Sequence, residues 1–250
     1  PGSAVSLFDH LRVRLNHGSN NLGPHRVPLI GRADWNDCLN LNCFSWDPNE
    51  SFQTTENKSE GSKAESLMIA GLFVVTGKDY VALCRELAKR TGKAEYDKEA
   101  DRMQQAVDDM VEAVKRDGWD GEWYLRAYDF YGNKIGSDEN EEGKIFIESQ
   151  GWCTMAGIGL KEGLVGRALD SVKERMECEH GIVLNNPAFT TYHVEMGEIS
   201  SYPEGYKENA GIFCHNNPWV IIGETVAGRG QDAWNHYTKI LPSYVEEKYQ

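Results

Sequence analysis

Apolar residues recur at helical spacing along most of the chain, and the polar residues between them mark where each helix ends. A short amphipathic helix is predicted over residues 3–16, and a buried helix begins with the apolar run 67–75. Ser62 and Glu65 form a capping-box pattern ahead of that run, and Gly77 is expected to end the helix. The remaining helices are predicted at 79–92, 95–115, 148–160, 162–177, 218–227 and 230–241.

Two kinds of segment interrupt the helical pattern. Residues 119–135 are aromatic and alternating, which predicts a small β-hairpin that turns at Gly132 and Asn133. Residues 17–62 and 179–217 are long, polar and rich in Asn, Gly and Pro. A compact domain seldom keeps loops of that length unless they carry function, so we expect functional side chains on both stretches.

Helix pairs that alternate with long polar loops predict an all-α fold. Helical hairpins whose long loops gather at one end are typical of an α/α toroid or a related helical array. No tight sequence repeat is visible, which disfavours a regular solenoid. The pattern gives about seven or eight helices, fewer than a closed double ring of six hairpins needs. The chain is therefore expected to be part of a larger domain.

Composition fits a folded protein with an acidic surface. The 250 residues are 40% apolar and 10% aromatic, which is enough to fill a core. The formal net charge of -13 argues against nucleic acid or an anionic membrane as a partner, because both attract basic surfaces. Mean hydropathy is -0.56, and neither a transmembrane helix nor a signal peptide is expected. The cysteines lie far apart, so we expect reduced thiols in a cytoplasmic protein.

The stretch GRADWNDCLNLN at 31–42 is too polar for a core strand and too aromatic for an ordinary linker. Trp35 beside carboxylates and amides is typical of a sugar site, because an indole covers the C–H face of a pyranose while polar groups bind its hydroxyls. A carboxyl held near such an indole keeps its proton to higher pH, since desolvation disfavours the anion. The alternative is a capping turn in which Asp37 only N-caps a helix.

A second polar constellation lies at 200–217, in the later long stretch. It combines a cation, carboxylates, phenols, an imidazole and amides. Lys207 beside Glu208 fits either a ligand site or a solvated surface pair. His215, close to an aromatic residue, fits either a ligand contact or a core histidine bonded to a backbone carbonyl. Two dense polar loops on one helical scaffold together favour a functional site.

The sequence matches no metal-binding motif and no nucleophile motif. Ligand-type residues occur at His193, Glu195, Cys214 and His215, but their spacing matches no zinc motif. The chain contains no G-x-S-x-G nucleophile elbow and no glycine-rich phosphate loop. We therefore expect no metal and no cofactor.

Three blocks, in order along the chain, resemble the cellobiose phosphorylases of glycoside hydrolase family 94. The blocks are VPLIGRADWNDCLNLN at 27–42, EGKIFIESQGW at 142–152 and GIVLNNPAFTTYHVEMGEISSYPEGYKENAGIFCHNNPW at 181–219. The resemblance implies that residues 1–250 are part of a single (α/α)6-barrel catalytic domain. The family's N-terminal β-sandwich and the barrel ends are expected outside these residues. It also implies cleavage of a disaccharide by inorganic phosphate with inversion, cellobiose giving α-D-glucose 1-phosphate and D-glucose.

The same resemblance assigns roles by position. Asp37, the second Asp of the D-W-N-D motif, corresponds to the general acid, and His215 corresponds to a phosphate contact. Further phosphate contacts of the family, an Arg and a Thr-Gly pair, are expected outside these 250 residues. The residues that correspond to sugar subsites are Trp35, Tyr202, Lys207 and Glu208.

One acid is sufficient for such a reaction, because phosphate is already an anion and attacks the anomeric carbon directly. We expect a raised pKa for Asp37 and a charged His215 opposite the phosphate. Arg32 is a weaker candidate contact for the substrate, since its side chain also suits bracing of the loop. The alternatives are a phosphorylase for cellodextrin, laminaribiose or chitobiose, an inverting hydrolase, and a non-catalytic sugar-binding module. A homodimer is expected for the full-length enzyme.

Overall fold

The computed structural model describes residues 4–30, 39–53 and 63–249. Within these ranges the chain is mainly helical, as predicted, and the strands form small antiparallel sheets. The helices are α1 (Leu7–Asn20), α2 (Pro48–Gln53), α3 (Leu67–Thr91), α4 (Ala94–Asp117), α5 (Ile147–Met155), α6 (Leu164–Arg175), α7 (Asn217–Val226), α8 (Gly230–Ile240) and α9 (Pro242–Tyr249). The strands are β1 (Glu65–Ser66), β2 (Ala127–Tyr128), β3 (Lys134–Ile135), β4 (Ile145–Phe146), β5 (Glu177–Cys178), β6 (Gly181–Ile182) and β7 (Asn185–Asn186). The barrel topology stays a prediction.

The predicted β-hairpin is present. Strands β2 and β3 pair antiparallel, and β1 pairs with the other edge of β2. The carboxylate of Asp129 holds the turn, because it accepts the backbone N–H groups of Tyr131 at 2.9 Å and Asn133 at 2.8 Å. Gly132 has a φ of 85°, a left-handed conformation that glycine adopts without strain. The turn at Gly132 and Asn133 is therefore confirmed.

Helix α3 is longer than predicted. It begins after Ser66, whose hydroxyl accepts the N–H of Ile69 at 3.3 Å, whereas the expected cap Ser62 lies outside the described residues. The prediction that Gly77 ends the helix is wrong, because α3 continues to Thr91 and is capped by Gly92. A Cβ at Gly77 would lie 2.5 Å from Cγ2 of Val107 on α4. The glycine therefore permits close helix packing and does not terminate the helix.

Helix α3 also bears on the expectation that the chain has no transmembrane helix. It has 25 residues, and one 18-residue window has a mean hydropathy of 1.6, so by length and composition it could cross a membrane. Half of that window is buried inside the protein. Its buried residues Phe73, Val74 and Cys84 pack in a hydrophobic cluster with residues of α4 and α5.

Helix α1 starts later than the predicted 3–16. The hydroxyl of Ser6 caps it by accepting a backbone N–H of the first turn at 3.1 Å. Of the apolar positions that were expected to form its buried face, Leu15 is buried, but Leu7 is 75% exposed and Val13 is 62% exposed. The predicted amphipathic face is thus only partly covered in the described part of the chain.

Helix α5 ends before the predicted limit of residue 160. Gly157 and Gly159 have φ values of 68° and 69°, so the backbone leaves the helical conformation there. Close packing occurs at Gly151, where a Cβ would lie 2.6 Å from Cβ of Trp219 on α7. Gly157 and Gly159 therefore terminate the helix, and Gly151 is the packing position.

Glycines also bring α3, α5 and α7 together in one layer. A Cβ at Gly71 of α3 would lie 2.7 Å from the carbonyl carbon of Trp152 on α5. Gly223 of α7 lies against the side chain of Thr154 on the opposite face of α5. The three helices consequently pack with their backbones close together.

Both long loops contain short elements that the sequence did not reveal. Helix α2 lies in the first loop, and β6, β7 and a 3₁₀ turn at Gly197–Ser201 lie in the second, which β5 directly precedes. A hydrophobic cluster beneath the two loops joins them, and we call it the loop cluster. Its members are Ile30, Leu39, Leu41, Ala64, Ala127, Ile135, Phe146, Phe189, Met196 and Ile199.

Candidate functional site

The two flanks of the D-W-N-D motif are fixed at one place. Ile30 precedes the motif, Leu39 follows it, and both are buried in the loop cluster together with Phe189 and Ile199 of the second long loop. The residues on both sides of the motif therefore lie beside the second long loop. Residues 31–38 lie outside the described residues. The candidates among them are Arg32, Trp35 and Asp37.

A direct contact also joins the two loops. The hydroxyl of Tyr192 donates a hydrogen bond of 2.6 Å to the backbone oxygen of Ser45. Helix α2 of the first loop packs against the 3₁₀ turn Gly197–Ser201 of the second. The segments that carry the two predicted groups of site residues are therefore neighbours in space, although about 150 residues separate them in sequence.

The loop that presents Lys207 and Glu208 is held from inside by Asn209. The Asn209 side chain is fully buried; its amide nitrogen donates to the backbone oxygens of Phe189 and Tyr202, both at 2.8 Å. Its amide oxygen accepts the N–H of Phe189, also at 2.8 Å. Lys207 has a φ of 49°, an unusual value for a residue with a side chain. The loop is therefore shaped by tertiary hydrogen bonds in addition to its own turns.

Lys207 faces aromatic rings. Its Nζ lies 4.7 Å from the ring centroid of Tyr202 and 6.0 Å from that of Tyr206, which is cation–π geometry. The hydroxyl of Tyr202 donates to Oε1 of Glu198 at 2.6 Å, which fixes the ring. The three groups form a polar surface with an aromatic face, which suits the hydroxyls and C–H face of a sugar.

One carboxylate oxygen of Glu208 can still accept hydrogen bonds. Its Oε2 is shielded from solvent and has no hydrogen-bond partner among the described residues. Leaving a buried acceptor unsatisfied costs roughly 1–3 kcal/mol, so such atoms are often ligand contacts. In this part of the chain Glu208 also forms no ion pair with Lys207, contrary to the reading of a simple surface pair. The carboxylate is available to accept a ligand hydroxyl.

His215 is exposed, so the alternative of a buried core histidine is wrong. Its ring lies 5.4 Å from that of Phe213 and 5.6 Å from that of Trp219, in a T-shaped arrangement with the indole. It precedes α7 by two residues. The N-terminus of a helix favours anions, because its first N–H groups lack partners within the helix. The position is suited to an anionic group.

One segment anchors both His215 and the Lys207 loop. The side chain of Asn217 accepts the N–H of Ile182 at 2.8 Å and donates to its oxygen at 3.0 Å, which fixes the start of α7. Two residues further along, Leu184 donates its N–H to the oxygen of Gly211 at 2.9 Å. Two residues of extended chain span roughly 7 Å. The segment 182–184 therefore holds both the start of α7, next to His215, and the end of the Lys207 loop at Gly211.

Three structurally important residues of this region were not predicted from the sequence. Asn209 shapes the loop, Glu198 orients Tyr202, and Tyr192 joins the two loops. Only the contact of Glu198 had a signal in the sequence, because Glu198 lies four residues before its partner Tyr202. The contacts of Asn209 and Tyr192 are long-range, and no local pattern indicates them.

The ranges that the structure describes contain no group of three or more His, Cys, Asp or Glu side chains that could hold a metal ion. His193 and Glu195, two of the ligand-type residues, contact each other at 3.4 Å. The other ring nitrogen of His193 lies 2.8 Å from Glu142. Hydrogen bonds from Thr190 and then from His193 lower the pKa of Glu142, so this carboxylate stays charged.

The cysteines of the described ranges are free thiols, which agrees with the prediction of reduced cysteines. They are Cys43, Cys84, Cys153, Cys178 and Cys214. Burial raises the pKa of Cys153 well above its ordinary value and makes this thiol unreactive. Cys153 therefore adds no chemistry to the site.

Comparison with known proteins gives related sequences of sugar-active enzymes. A solabiose phosphorylase of Paenibacillus borealis is 31% identical over 239 residues, which cover 96% of this chain and 28% of the relative. An N,N'-diacetylchitobiose phosphorylase of Vibrio proteolyticus is 30% identical over 243 residues, with coverages of 96% and 27%. A cyclic beta-(1,2)-glucan synthase of Rhizobium meliloti is 26% identical over 238 residues, with coverages of 94% and 8%.

The chain thus spans less than a third of the length of these relatives. The sequence model of the Glycosyl hydrolase 94 superfamily catalytic domain matches residues 2–250. The resemblance at the motif level therefore extends over nearly the whole chain. The chain belongs to the catalytic-domain family of the Glycosyl hydrolase 94 superfamily.

Proposed function

We propose that this chain is part of the catalytic domain of an inverting disaccharide phosphorylase, and that its substrate is cellobiose. The products are α-D-glucose 1-phosphate and D-glucose. The observation that carries the proposal is the loop in which Lys207 lies over two tyrosine rings and Glu208 keeps a shielded, unpartnered oxygen. Two relatives are named disaccharide phosphorylases, which supports phosphorolysis as the reaction.

The proposed reaction exchanges one bond at the anomeric carbon for another. Asp37 donates its proton to the glycosidic oxygen, so that the bond to the leaving glucose breaks. A phosphate oxygen attacks the opposite face and forms the new bond, which inverts the configuration. The proton of the attacking phosphate group returns to the medium or to Asp37, and the acid is ready for another cycle. Phosphate is a co-substrate, and the proposal requires no cofactor or metal.

The proposed binding roles follow from the chemistry of each side chain. Lys207 and Glu208 donate to and accept from sugar hydroxyls, and Tyr202 offers a ring face. Trp35 and Arg32 complete the sugar contacts from the first motif. His215, in its charged form, binds the phosphate. Its positive charge offsets the net negative charge of the chain, which would otherwise repel an anion.

The architecture is part of the same proposal. The helical hairpins described above form part of an (α/α)6 barrel, whose remaining helices and N-terminal β-sandwich lie elsewhere in a longer polypeptide. The coverage of less than a third of each relative supports this. We place the full-length enzyme in the cytoplasm as a homodimer, without a nucleic-acid or membrane partner.

A second candidate is a phosphorylase for a related β-glucoside, such as a cellodextrin, laminaribiose or chitobiose. The names of the relatives favour it, because they refer to disaccharides other than cellobiose. A further alternative is that this chain alone binds sugar without turning it over. The length of the relatives favours that alternative for the isolated chain.

Release of glucose 1-phosphate from cellobiose tests the function. The assay is run with this chain and with the longer polypeptide, each with and without inorganic phosphate, and with laminaribiose and chitobiose as competing substrates. Glucose 1-phosphate that forms only with phosphate supports phosphorolysis, and preference for cellobiose supports the substrate. Glucose released without phosphate would identify a hydrolase, and sugar binding without any product would identify a binding module.

A further inference from the structure

Glu142 is the first residue of the second sequence block, 142–152, and the proposed function gives it no role. Its carboxylate lies against the second long loop. Oε1 accepts the hydroxyl of Thr190 at 2.5 Å, and the backbone N–H of Thr190 lies 3.1 Å from Oε2 and 3.2 Å from Oε1. Oε2 also lies 2.8 Å from Nε2 of His193. One carboxylate therefore binds a four-residue segment of the second long loop at two points.

The contact between Glu142 and His193 has a defined direction. Hydrogen bonds from Thr190 and then from His193 lower the pKa of Glu142, so its carboxylate is ionised and can only accept. Nε2 of His193 must therefore carry a proton, whether the ring is neutral or charged. Hydrogen bonds to an ionised group are stronger than those between neutral groups, so this contact is a firm restraint on the loop.

His193 transmits this restraint to the 3₁₀ turn Gly197–Ser201. Its backbone N–H donates to the hydroxyl oxygen of Ser200 at 2.9 Å. Its backbone oxygen accepts the N–H groups of Met196 at 3.0 Å and Gly197 at 2.9 Å. Both ends of the turn are thus bonded to the residue that Glu142 holds.

The 3₁₀ turn in its turn orients the proposed sugar contacts. Its Glu198 accepts the hydroxyl of Tyr202 at 2.6 Å, and Nζ of Lys207 lies 4.7 Å from the centroid of the Tyr202 ring. A continuous series of hydrogen bonds and ring contacts therefore runs from the carboxylate of Glu142 to the ammonium group of Lys207.

The segment 189–193 also makes two other contacts that shape the proposed site. Phe189 is bonded through both of its backbone polar groups to Asn209, beside the proposed sugar contacts. Tyr192 donates to the backbone oxygen of Ser45 in the first long loop. The carboxylate that anchors this segment therefore supports a point at which the two long loops meet.

We propose that Glu142 is a positioning residue for the sugar site and that it acts through its hydrogen bond to Nε2 of His193. The proposal rests on the proposed function, in which neither residue makes or breaks a bond of the substrate. The pair sets the 3₁₀ turn that orients Tyr202. His215, by contrast, precedes α7, whose start has its own hydrogen bonds to Ile182. KM for cellobiose should therefore depend on the pair more strongly than KM for phosphate.

Two substitutions of His193 in the full-length enzyme distinguish this hydrogen bond from the mere presence of an imidazole. His193→Gln keeps an N–H donor at about the reach of Nε2. His193→Asn places its donor near the position of Nδ1, which faces Glu195 at 3.4 Å instead. His193→Asn should raise KM for cellobiose roughly tenfold, and His193→Gln less than about threefold. KM for phosphate should change less than about threefold in both variants. Equal effects of the two substitutions would overturn the proposal.

Glu142→Gln adds a pH dependence to the test. The new amide keeps an acceptor for Thr190 but presents an N–H to Nε2 of His193, which can accept it only while the ring is neutral. Histidines gain a proton as pH falls from about 8 to 5. The ratio of the variant's KM for cellobiose to that of the original enzyme should therefore rise toward low pH. The other charged groups around the ring, which are the same in both proteins, are Asp129, Lys134, Glu141 and Glu195.

Glu141→Gln is the matched control, because it removes the same charge from the neighbouring, exposed position. Its KM ratio should stay flat with pH. A flat ratio in Glu142→Gln as well, or a rise of equal size in the control, would overturn the role of the pair.

Hydrogen exchange of backbone amides, followed by mass spectrometry, tests the pair without turnover. Glu142→Ala should speed exchange within residues 189–209 roughly fivefold or more and leave α8 unchanged, whereas Glu141→Ala should alter neither. If the original enzyme releases no glucose 1-phosphate from cellobiose, the proposed function fails, and exchange alone then decides whether Glu142 holds the loop. Unchanged exchange in Glu142→Ala would overturn the positioning role, as would equal changes in KM for cellobiose and phosphate.

Discussion

The side chain of Asn209 is hydrogen-bonded to both the N–H and the C=O of Phe189, at 2.8 Å each. A primary amide can satisfy both groups of one peptide unit at once, as a neighbouring strand does. The contact joins the loop that presents Lys207 and Glu208 to a segment twenty residues earlier, whose Phe189 packs in the loop cluster. The geometry of the proposed sugar site therefore depends on a residue that does not face the sugar.

Replacing Asn209 by Ala should disturb that geometry. The change leaves buried backbone groups of Phe189 and Tyr202 without partners, at a cost of roughly 1–3 kcal/mol in the free energy of unfolding. We also expect KM for cellobiose to rise about tenfold or more while KM for phosphate changes less, because the sugar loop is the part released.

Urea denaturation measures the stability change, and initial rates at varied substrate give the two KM values. The matched control is Asn235→Ala, since the amide of Asn235 bonds only to exposed Gln231 among the contacts seen on α8. A control that behaves like Asn209→Ala, or equal changes in both KM values, would contradict a specific role in holding the loop.

Helix packing gives a second prediction. Gly71→Ala should lower the free energy of unfolding by about 1–3 kcal/mol, because the new Cβ would lie 2.7 Å from the backbone of Trp152. This steric destabilisation opposes the higher helix propensity of alanine, which relative to glycine normally stabilises a helix by about 1 kcal/mol. Gly166→Ala on α6 is the control, since its Cβ would meet only the flexible end of Arg229 at 3.3 Å. Chemical denaturation that finds Gly71→Ala as stable as the control would refute the close approach.

Much of the fold was readable from the sequence, and the exceptions have physical causes. The amphipathic period of α4 predicted 95–115, and the helix spans Ala94–Asp117. Gly77 was misread as a helix end, because glycine's role depends on whether another helix lies against it. Sequence shows that a residue is glycine but not what its missing Cβ would meet.

The candidate site, like the fold, was predicted only in part from the sequence. Lys207, Glu208 and His215 were predicted from the motif block, and the structure brings them onto one anchored segment. The link from Asn209 to Phe189 was not predicted, because the geometry of a loop that depends on tertiary hydrogen bonds leaves no periodic pattern in the sequence.

A buried histidine leads to a prediction about pH. His236 of α8 is 2% exposed; its Nδ1 lies 2.8 Å from Glu224 of α7 and its Nε2 lies 3.5 Å from Glu177 of β5. Burial alone would lower the pKa of His236, but the adjacent carboxylates of Glu224 and Glu177 together raise it above its ordinary value of 6.5. The charged form therefore holds α8 against its neighbours.

Because the folded-state pKa is higher than the unfolded one, this stabilisation is fully present below the unfolded pKa and is lost as pH rises through the folded pKa. We expect the free energy of unfolding to fall as pH rises through that window. His236→Gln should remove this decline, whereas His10→Gln, at an exposed position, should keep it. Denaturation curves across the window provide the measurement, and an unchanged slope in His236→Gln would exclude the histidine as the cause.

The proposed acid gives a prediction that does not depend on protein stability. Asp37→Asn keeps the size of the side chain but removes its transferable proton, so turnover of cellobiose should fall by roughly a hundred- to ten-thousandfold. Binding of cellobiose, measured by calorimetry, should remain within a few-fold of the original. Asp47→Asn is the control in the same loop, because Asp47 is exposed and only caps α2. Phosphorolysis in Asp37→Asn at the original rate would refute the assignment of the acid.

His215 is expected to act on phosphate and not on sugar. His215→Ala removes an exposed imidazole that precedes α7, and a lost charge-assisted hydrogen bond should raise KM for phosphate roughly ten- to a hundredfold. KM for cellobiose should change much less, because the Lys207 loop has its own anchor at Asn209. His180→Ala, in the turn between β5 and β6, is the control for loss of an exposed histidine nearby. If the phosphate dependence of His215→Ala matches that control, the phosphate site must be formed by other residues, and the helix N-terminus behind His215 is not its anchor.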